Sequence, residues 1–409
     1  MNDLKKKKLL VLVSAFSKNK DDSGDFTLDL SSRLNKKFQV TVLAPHDKGL
    51  KWREKIKGLE VRRFVYFFPY SLQQLAYRGG IPYNLKTSFW AKIQVPFFFF
   101  SELVAAIRII KREKIDIIQS HWLLPQGLVG AICQKYYHVN HVATIHSSEI
   151  TLLKKIPFGR KITEFIFKNS EQLVSVSHHR FKEISSFISP KVSDISRKKV
   201  SFIPMGINLK AFKFKTDQGI KRKLGIKGDS PVVLFIGRLV EVKGCEYLIK
   251  AFKFFLKKAS DARLIIVGSG FLAGELIELT QKLGINRRVN FIGFVDHKEI
   301  YNYYQLADMV VFPSIVDPSG YQEGIPVVLL EAMACGKLVI ATDIKGVTEI
   351  ISDGSNGYLT KPKDYKGMAE KMISIIDSDQ TKVRSEALKD AQKFDWERIA
   401  QEYIRVLEK

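Results

Sequence analysis

Two stretches of this chain bring together residue types suited to a diphosphate and a sugar. In the first, Phe235-Ile236-Gly237-Arg238-Leu239, a strand-like run ends at Gly237 and an arginine follows at once. Lys243-Gly244 comes shortly after, just before a helical stretch. Open parallel sheets collect ligands at the carboxyl ends of their strands. A helix N-terminus there favours an anion through its unpaired N–H groups and its dipole. A guanidinium adds a planar fork and an ammonium a point charge, both suited to phosphate. The plainer alternative is two solvated cations in a loop, since most basic residues are exposed.

The second stretch is Glu323-Gly324-Ile325-Pro326-Val327-Val328-Leu329-Leu330-Glu331. Proline is comfortable in a first helical turn, which leaves Glu323 in the loop and Glu331 in the helix. N–H groups near Gly324 and Val327 suit a phosphate, and carboxylates accept hydrogen bonds from sugar hydroxyls. A solvated acid would explain Glu323. It fits Glu331 poorly, because that residue sits inside the apolar run 327–334.

Other motifs compete. Gly268-Ser269-Gly270-Phe271-Leu272-Ala273 follows a strand and fits a dinucleotide fingerprint, but it lies outside the first strand–helix–strand unit of its domain and lacks an acidic partner at the next strand. The better reading is a glycine turn lining a nucleotide pocket, with Gly268 as a contact. Asp377-Ser378-Asp379 reads as a polar turn rather than a metal pair. His138, His141 and His146 are close in sequence. A metal site needs convergent, supported ligands, and His138 and His141 are expected at the surface. No Walker A sequence occurs.

These residues need a scaffold. Apolar strand-like runs alternate with helical stretches, which argues for parallel sheets covered on both faces. Expected strands are 9–13, 40–43, 115–119, 141–145, 173–176 and 200–203, then 232–236, 264–267, 289–292, 309–312 and 338–341. Helical stretches include 128–136, 245–258, 273–282 and 327–334. The alternation pauses at Pro204-Met205-Gly206-Ile207-Asn208. The expected fold is therefore α/β: two doubly wound, Rossmann-like domains, 1–204 and 205–390, facing each other across a cleft. A terminal helix near 391–409 is a candidate for packing back on the first. Residues 66–100, rich in Pro, Gly, Tyr and Phe, look like a large insertion rather than sheet.

The chain has 409 residues, 45% hydrophobic and 26% charged, so each domain can bury a core and wholesale disorder is excluded. Three distant cysteines exclude a disulfide scaffold and suit a reducing compartment. Lys5–Lys8 followed by 9–16 has the outline of a signal peptide, but no small-residue cleavage site follows. No apolar run is expected to span a membrane; the nearest, 95–110, is interrupted by Ser101, Glu102 and Arg108.

Taken together, Gly237-Arg238-Leu239 with Lys243-Gly244, and Glu323-Gly324-Ile325-Pro326 with Glu331-Ala332-Met333-Ala334, resemble retaining family 4 glycosyltransferases of the GT-B fold. Pro204-Met205-Gly206-Ile207-Asn208, Ala307-Asp308 with Pro313-Ser314, and Asn356-Gly357-Tyr358-Leu359 add to the resemblance. So do 121–127 (His121-Trp122-Leu123-Leu124-Pro125-Gln126-Gly127) and Thr144-Ile145-His146. The resemblance implies transfer of a sugar from a nucleotide-diphosphate sugar, UDP favoured and GDP the alternative, to a glycan or lipid-linked acceptor. It implies retention of configuration and no metal or other cofactor. It places Arg238 and Lys243 on the donor diphosphate and Glu331 on the ribose. Glu323 is placed on the donor sugar and His146 beside the reacting sugar. Gly24 approaches the phosphates, and Gly237, Gly324, Ile325, Pro326 and Val327 complete the donor contacts. Two departures stand out: Ser23 replaces one of the family's paired glycines, and Ser147 replaces the glycine after the histidine.

The net charge is +24, and residues 1–200 hold 35 basic against 16 acidic side chains. Such a surface seeks anions. A nucleic-acid binder without transferase activity is the rival class, but no recognised nucleic-acid module is present, and no nucleic-acid partner is expected. An anionic membrane surface is the favoured partner of the basic half. Its aromatics at 66–100 would enter the interface, which suits a cytoplasmic protein held at the inner membrane face. The competing explanation is a lysine-rich surface serving only solubility.

Overall fold

The protein is seen in a computed structural model that describes residues 6–17, 25–77, 80–146, 148–212, 218–317, 320 and 322–409. It divides into two compact units, Met1–Pro204 with Trp396–Lys409, and Met205–Asp395.

The first unit is built on one sheet. Its strands are β1 (Lys8–Leu12), β2 (Gln39–Pro45), β3 (Arg53–Ile56), β4 (Leu59–Phe64), β5 (Ile117–His121), β6 (Asn140–Ile145), β7 (Gln172–Ser175) and β8 (Val200–Phe202). They lie in the order β3-β4-β2-β1-β5-β6-β7-β8. All neighbours are parallel except β3 and β4. That pair is a hairpin whose two-residue turn, Lys57-Gly58, has positive φ at both positions, the geometry that matches strand twist. β1 sits centrally, and Leu9–Leu12 are fully buried, as a strand covered on both faces requires. The helix Trp396–Leu407 packs on the helix Phe26–Leu34 of the same unit, where Glu397 pairs with Arg33 and Lys36.

The second unit has β9 (Val232–Ile236), β10 (Arg263–Val267), β11 (Val289–Gly293), β12 (Met309–Phe312), β13 (Leu338–Thr342) and β14 (Tyr358–Thr360), all parallel, in the order β11-β10-β9-β12-β13-β14. Alternation along β9 divides the core. Val233 and Phe235 pack with Leu248, Phe252 and Phe255 on one face. Leu234 and Ile236 pack with Tyr304, Leu330 and Met333 on the other. Each large apolar side chain so buried contributes about 1.5–3 kcal/mol.

Three expectations need correction. Among the described residues of 66–100 there is no strand, but the segment is not an insertion: it lies in the connection from β4 to β5, which carries a short helix Ile81–Thr87 and a long one Phe89–Glu113. That long helix is also apolar enough, by length and composition, to cross a membrane. Ser101, Glu102 and Arg108 did not break it because Glu102 lies fully buried against Gln126. His141 is not on the surface. It sits fully buried in β6, with Nε2 2.8 Å from Ser120 Oγ and Nδ1 3.0 Å from Ser170 Oγ. His138 is exposed, at the left-handed end of the helix Leu128–Tyr137.

Candidate active site

In the second unit, chain order runs outward from β9 to β10 and β11, then restarts at β12 and runs the other way. The crevice at such a reversal, at the strand carboxyl ends, is where open α/β sheets bind ligands. Here the segment after β9 meets the segment after β12. Lys243 Nζ lies 2.6 Å from Glu323 Oε1, with both side chains about 15% exposed. Glu323 Oε2 accepts a hydrogen bond of 2.8 Å from Ser314 Oγ. Arg238 is exposed at the end of β9. The cation pair anticipated from the sequence therefore flanks the strand reversal, and Lys243 is tied to a carboxylate rather than solvated.

Backbone geometry holds these residues close. Gly237 donates its N–H to Val267 and Leu239 donates to Ser269. Gly268 has φ +136°, and a Cβ there would overlap the carbonyl of Gly237. Gly244, at φ +61°, lies so close to the Pro313 carbonyl that only glycine fits. Thus the Gly268-Ser269-Gly270 segment is a turn braced on the Gly237–Leu239 backbone. Pro326 immediately precedes the helix Val327–Ala334, whose first N–H groups lie beside Gly324 and Ile325 in sequence.

Glu331 lies one turn into that helix and is only 3% exposed. His297 Nε2 stands 2.7 Å from its Oε1, and the Tyr304 hydroxyl lies 2.9 Å from its Oε2. The Tyr301 hydroxyl is 3.3 Å from His297 Nδ1. Glu331 is thus held in a side-chain network, with spare lone pairs on its oxygens for further donors. The sequence reading missed His297, Tyr304 and Ser314. His297 carried a signal, a lone histidine directly after β11, where ligands gather.

The first unit repeats the arrangement. Its strand order reverses between β1 and β5. His121 ends β5 and His146 follows β6, with His121 Nδ1 3.3 Å from His146 Nε2. Trp122 and Phe26 close the cluster, their ring centroids 4.8 and 5.3 Å from that of His146. The His146 N–H donates to Glu149 Oε1 at 2.6 Å. Burial, and then His121, hold the His146 imidazole far below its usual range. Burial pushes His121 down to about 3 and the Glu149 carboxyl up to about 7. The pair is therefore uncharged at neutral pH. Asp25 caps the helix Phe26–Leu34 by accepting from Thr27 and Leu28 N–H. Gly24, Ser23 and Ser147 lie outside the described residues. His121, Trp122, Phe26 and Glu149 had no assigned role in the sequence reading, although His121 and Trp122 belong to a motif it quoted. Among the described residues no three His, Cys, Asp or Glu side chains form a cluster able to hold a metal.

Comparison with known proteins bears on the family and the fold. Residues 217–394 match the family described as Glycosyl transferases group 1, and residues 24–211 match Glycosyltransferase Family 4. An uncharacterised glycosyltransferase of Methanocaldococcus jannaschii is 31% identical over 323 residues, covering 76% of this chain and 79% of its own length. The N-acetyl-alpha-D-glucosaminyl L-malate synthase of Bacillus anthracis is 24% identical over 327 residues, covering 79% of this chain and 81% of its own. The HepE structure from Anabaena in complex with UDP aligns over 98% of this chain and 99% of its own, with TM-score 0.72 and 20% identity, which establishes the shared GT-B fold. A doubled α/β scaffold and a match to both halves of one family lead to one conclusion: the chain belongs to the group 1, family 4 glycosyltransferases.

Proposed function

We propose that the protein transfers a sugar from a nucleotide-diphosphate sugar, UDP-linked in preference to GDP-linked, to a glycan or lipid-linked acceptor. The observation that carries this reading is Lys243 paired with Glu323 beside Arg238, at the strand reversal of the second unit. Complexes of the Anabaena protein with UDP and with UDP-glucose support the choice of nucleotide. Donors of this kind suit a cytoplasmic site of reaction.

In this reading the donor diphosphate takes Lys243 and Arg238 as counter-charges, while Glu331 accepts from the ribose hydroxyls. Charge grows on the departing oxygen as the anomeric bond breaks. Fixed cations aimed there stabilise the transition state more than the ground state. They supply the electrostatic role that a divalent ion would otherwise fill. Neutral His146 offers the sugar an uncharged hydrogen-bonding ring.

Retention follows if the acceptor hydroxyl attacks on the face the phosphate leaves. The anomeric C–O bond to phosphate breaks and the new C–O bond forms. The hydroxyl proton passes to the leaving phosphate oxygen. The products are the glycoside and the free nucleoside diphosphate.

A donor screen reading released UDP or GDP, with glycan and lipid-linked acceptors and with EDTA, tests this reading. Release of UDP, unaffected by EDTA, with α-linked product from an α-linked donor is expected. Release from no donor, an inverted product or a glycosyl adduct on Glu323 would overturn it.

A further inference from the structure

The helix Phe89–Glu113 has two unlike sides. One is set into the first unit by Ala91, Gln94, Phe98, Glu102, Ala106 and Ile109. Its polar members are satisfied there. Gln94 Nε2 donates to the Leu72 carbonyl and its Oε1 accepts from Gln74 N–H, while Glu102 meets Gln126. The opposite side carries Phe89, Ile93, Phe97, Phe100 and Val104, spaced four, four, three and four residues apart, with Trp90 alongside. That spacing is one continuous helical stripe, roughly 22 Å long at 1.5 Å per residue. Phe89 is 71% exposed, Phe97 51% and Phe100 61%. Such an apolar strip on a protein surface marks an interaction site.

Charge says what covers it. The stripe continues directly into Arg108 and Lys111, both exposed, and Lys86, Lys92 and Arg112 are exposed nearby. From 81 to 112 the sole acidic residue is Glu102, which is buried on the other side. An aromatic stripe with basic ends and no exposed carboxylate is complementary to an anionic headgroup layer over hydrocarbon. Spanning is excluded by topology. β4 and β5, the strands this helix connects, lie in one sheet, and the helix is seated on that sheet's unit.

We propose that this face docks on an anionic lipid bilayer, with the helix lying in the plane of the headgroup boundary and its phenylalanines in the acyl region. Some aromatics between 66 and 100 serve the core instead: Tyr66, Tyr77 and Phe98 are buried, and the Phe98 ring packs at 5.0 Å from those of Phe64 and Tyr66. The surface inference is therefore confined to the stripe. It is independent of the transferase reading, because UDP release is measured separately.

The test is flotation of the full chain with vesicles of phosphatidylcholine alone or with 30% phosphatidylglycerol (about the anionic fraction that gives a useful surface potential). Wild-type chain is expected to bind the anionic vesicles, to leave them at high salt, and to ignore the neutral ones. Phe97→Ser with Phe100→Ser should weaken binding at least about tenfold. Arg108→Glu with Lys111→Glu should weaken it at least about thirtyfold, each cation being worth about fivefold near such a surface. Both pairs are exposed, so unchanged melting is expected and the two pairs check each other. No binding by wild type at low salt, equal binding to both vesicles, or full binding by both variants would overturn the proposal. So would self-association in solution that the Phe97→Ser, Phe100→Ser pair abolishes without any vesicle binding.

Discussion

Replacing Lys243 with alanine removes the ammonium that stands 2.6 Å from Glu323 and leaves Gly237 without the lysine stem beside it. Loss of one preorganised charge-stabilising donor typically costs about 2.7–4 kcal/mol of the barrier, or about 10²–10³ in turnover. A second cost arises because Glu323 loses its counter-charge. At 4 Å and an effective dielectric of 20 that attraction is about 4 kcal/mol before desolvation and screening, so the net is much smaller. Glu323 keeps its hydrogen bond from Ser314, which limits the structural damage. The two effects separate in a double-mutant cycle with Glu323→Gln. If Lys243 acts on the leaving phosphate, Lys243→Ala lowers kcat about 10²–10³ whether residue 323 is Glu or Gln, with the melting temperature little changed. Lys243→Arg should recover part of the loss. Steady-state release of the nucleoside diphosphate is the assay. Wild-type kcat in Lys243→Ala, or a defect that disappears in the Glu323→Gln background, would refute the assignment.

Further outcomes are expected. Gly268→Ala should lower the melting temperature by several degrees and weaken nucleotide binding, since its Cβ overlaps the Gly237 carbonyl at a left-handed φ; an unchanged melt by calorimetry contradicts this. Glu331→Ala should raise the UDP dissociation constant about tenfold or more, as lost ribose hydrogen bonds act in ground and transition states alike; unchanged affinity by titration calorimetry would show that Glu331 serves only His297 and Tyr304. His121, His141 and His146 are buried neutral, so they take up protons on unfolding and stability falls as pH drops below about 6.5. Glu149, pushed up by burial to about 7, acts the opposite way from there down to about 4.3, and Glu102, raised well above its usual value by burial, acts in the same sense. The histidines' loss is opposed by these carboxyls and by Asp25, also raised by burial, and is reinforced in acid where Glu183 and Asp390, held below the usual carboxylate range, lose their charge, so stability is expected to be lower at pH 4 than at pH 7. Urea melts at three pH values check this, and greater stability at pH 4 than at pH 7 contradicts it.

The second unit was the more legible in sequence, and its strands show why. β9 and β12 are short, fully apolar and bounded by turn residues, and their extents match expectation at both ends. β3 and β4 were missed because Arg53-Glu54-Lys55-Ile56 and Leu59-Glu60-Val61-Arg62 carry charges on the exposed side of an edge, where apolar patterning is diluted. The helix Phe89–Glu113 was obscured by Pro96 and Glu102. Pro96 is exposed, about two turns into the helix, and Glu102 finds its partner 24 residues away, a contact no local pattern reveals. The same limit applies to the site. Arg238, Lys243 and Glu323 stood out by type and place, but the pairing of Lys243 with Glu323 across the strand reversal is a tertiary fact. His141 shows the converse: a polar residue looks like surface until Ser120 and Ser170, from neighbouring segments, satisfy its ring.

The most direct test of the central claim is a crystal structure of the chain soaked with UDP. The diphosphate is expected at the carboxyl ends of β9 and β12, with its oxygens within about 3 Å of Lys243 Nζ and the Arg238 guanidinium, and with the ribose at Glu331. UDP bound elsewhere on the chain, or no UDP bound at millimolar concentration with this crevice open to solvent, would contradict it.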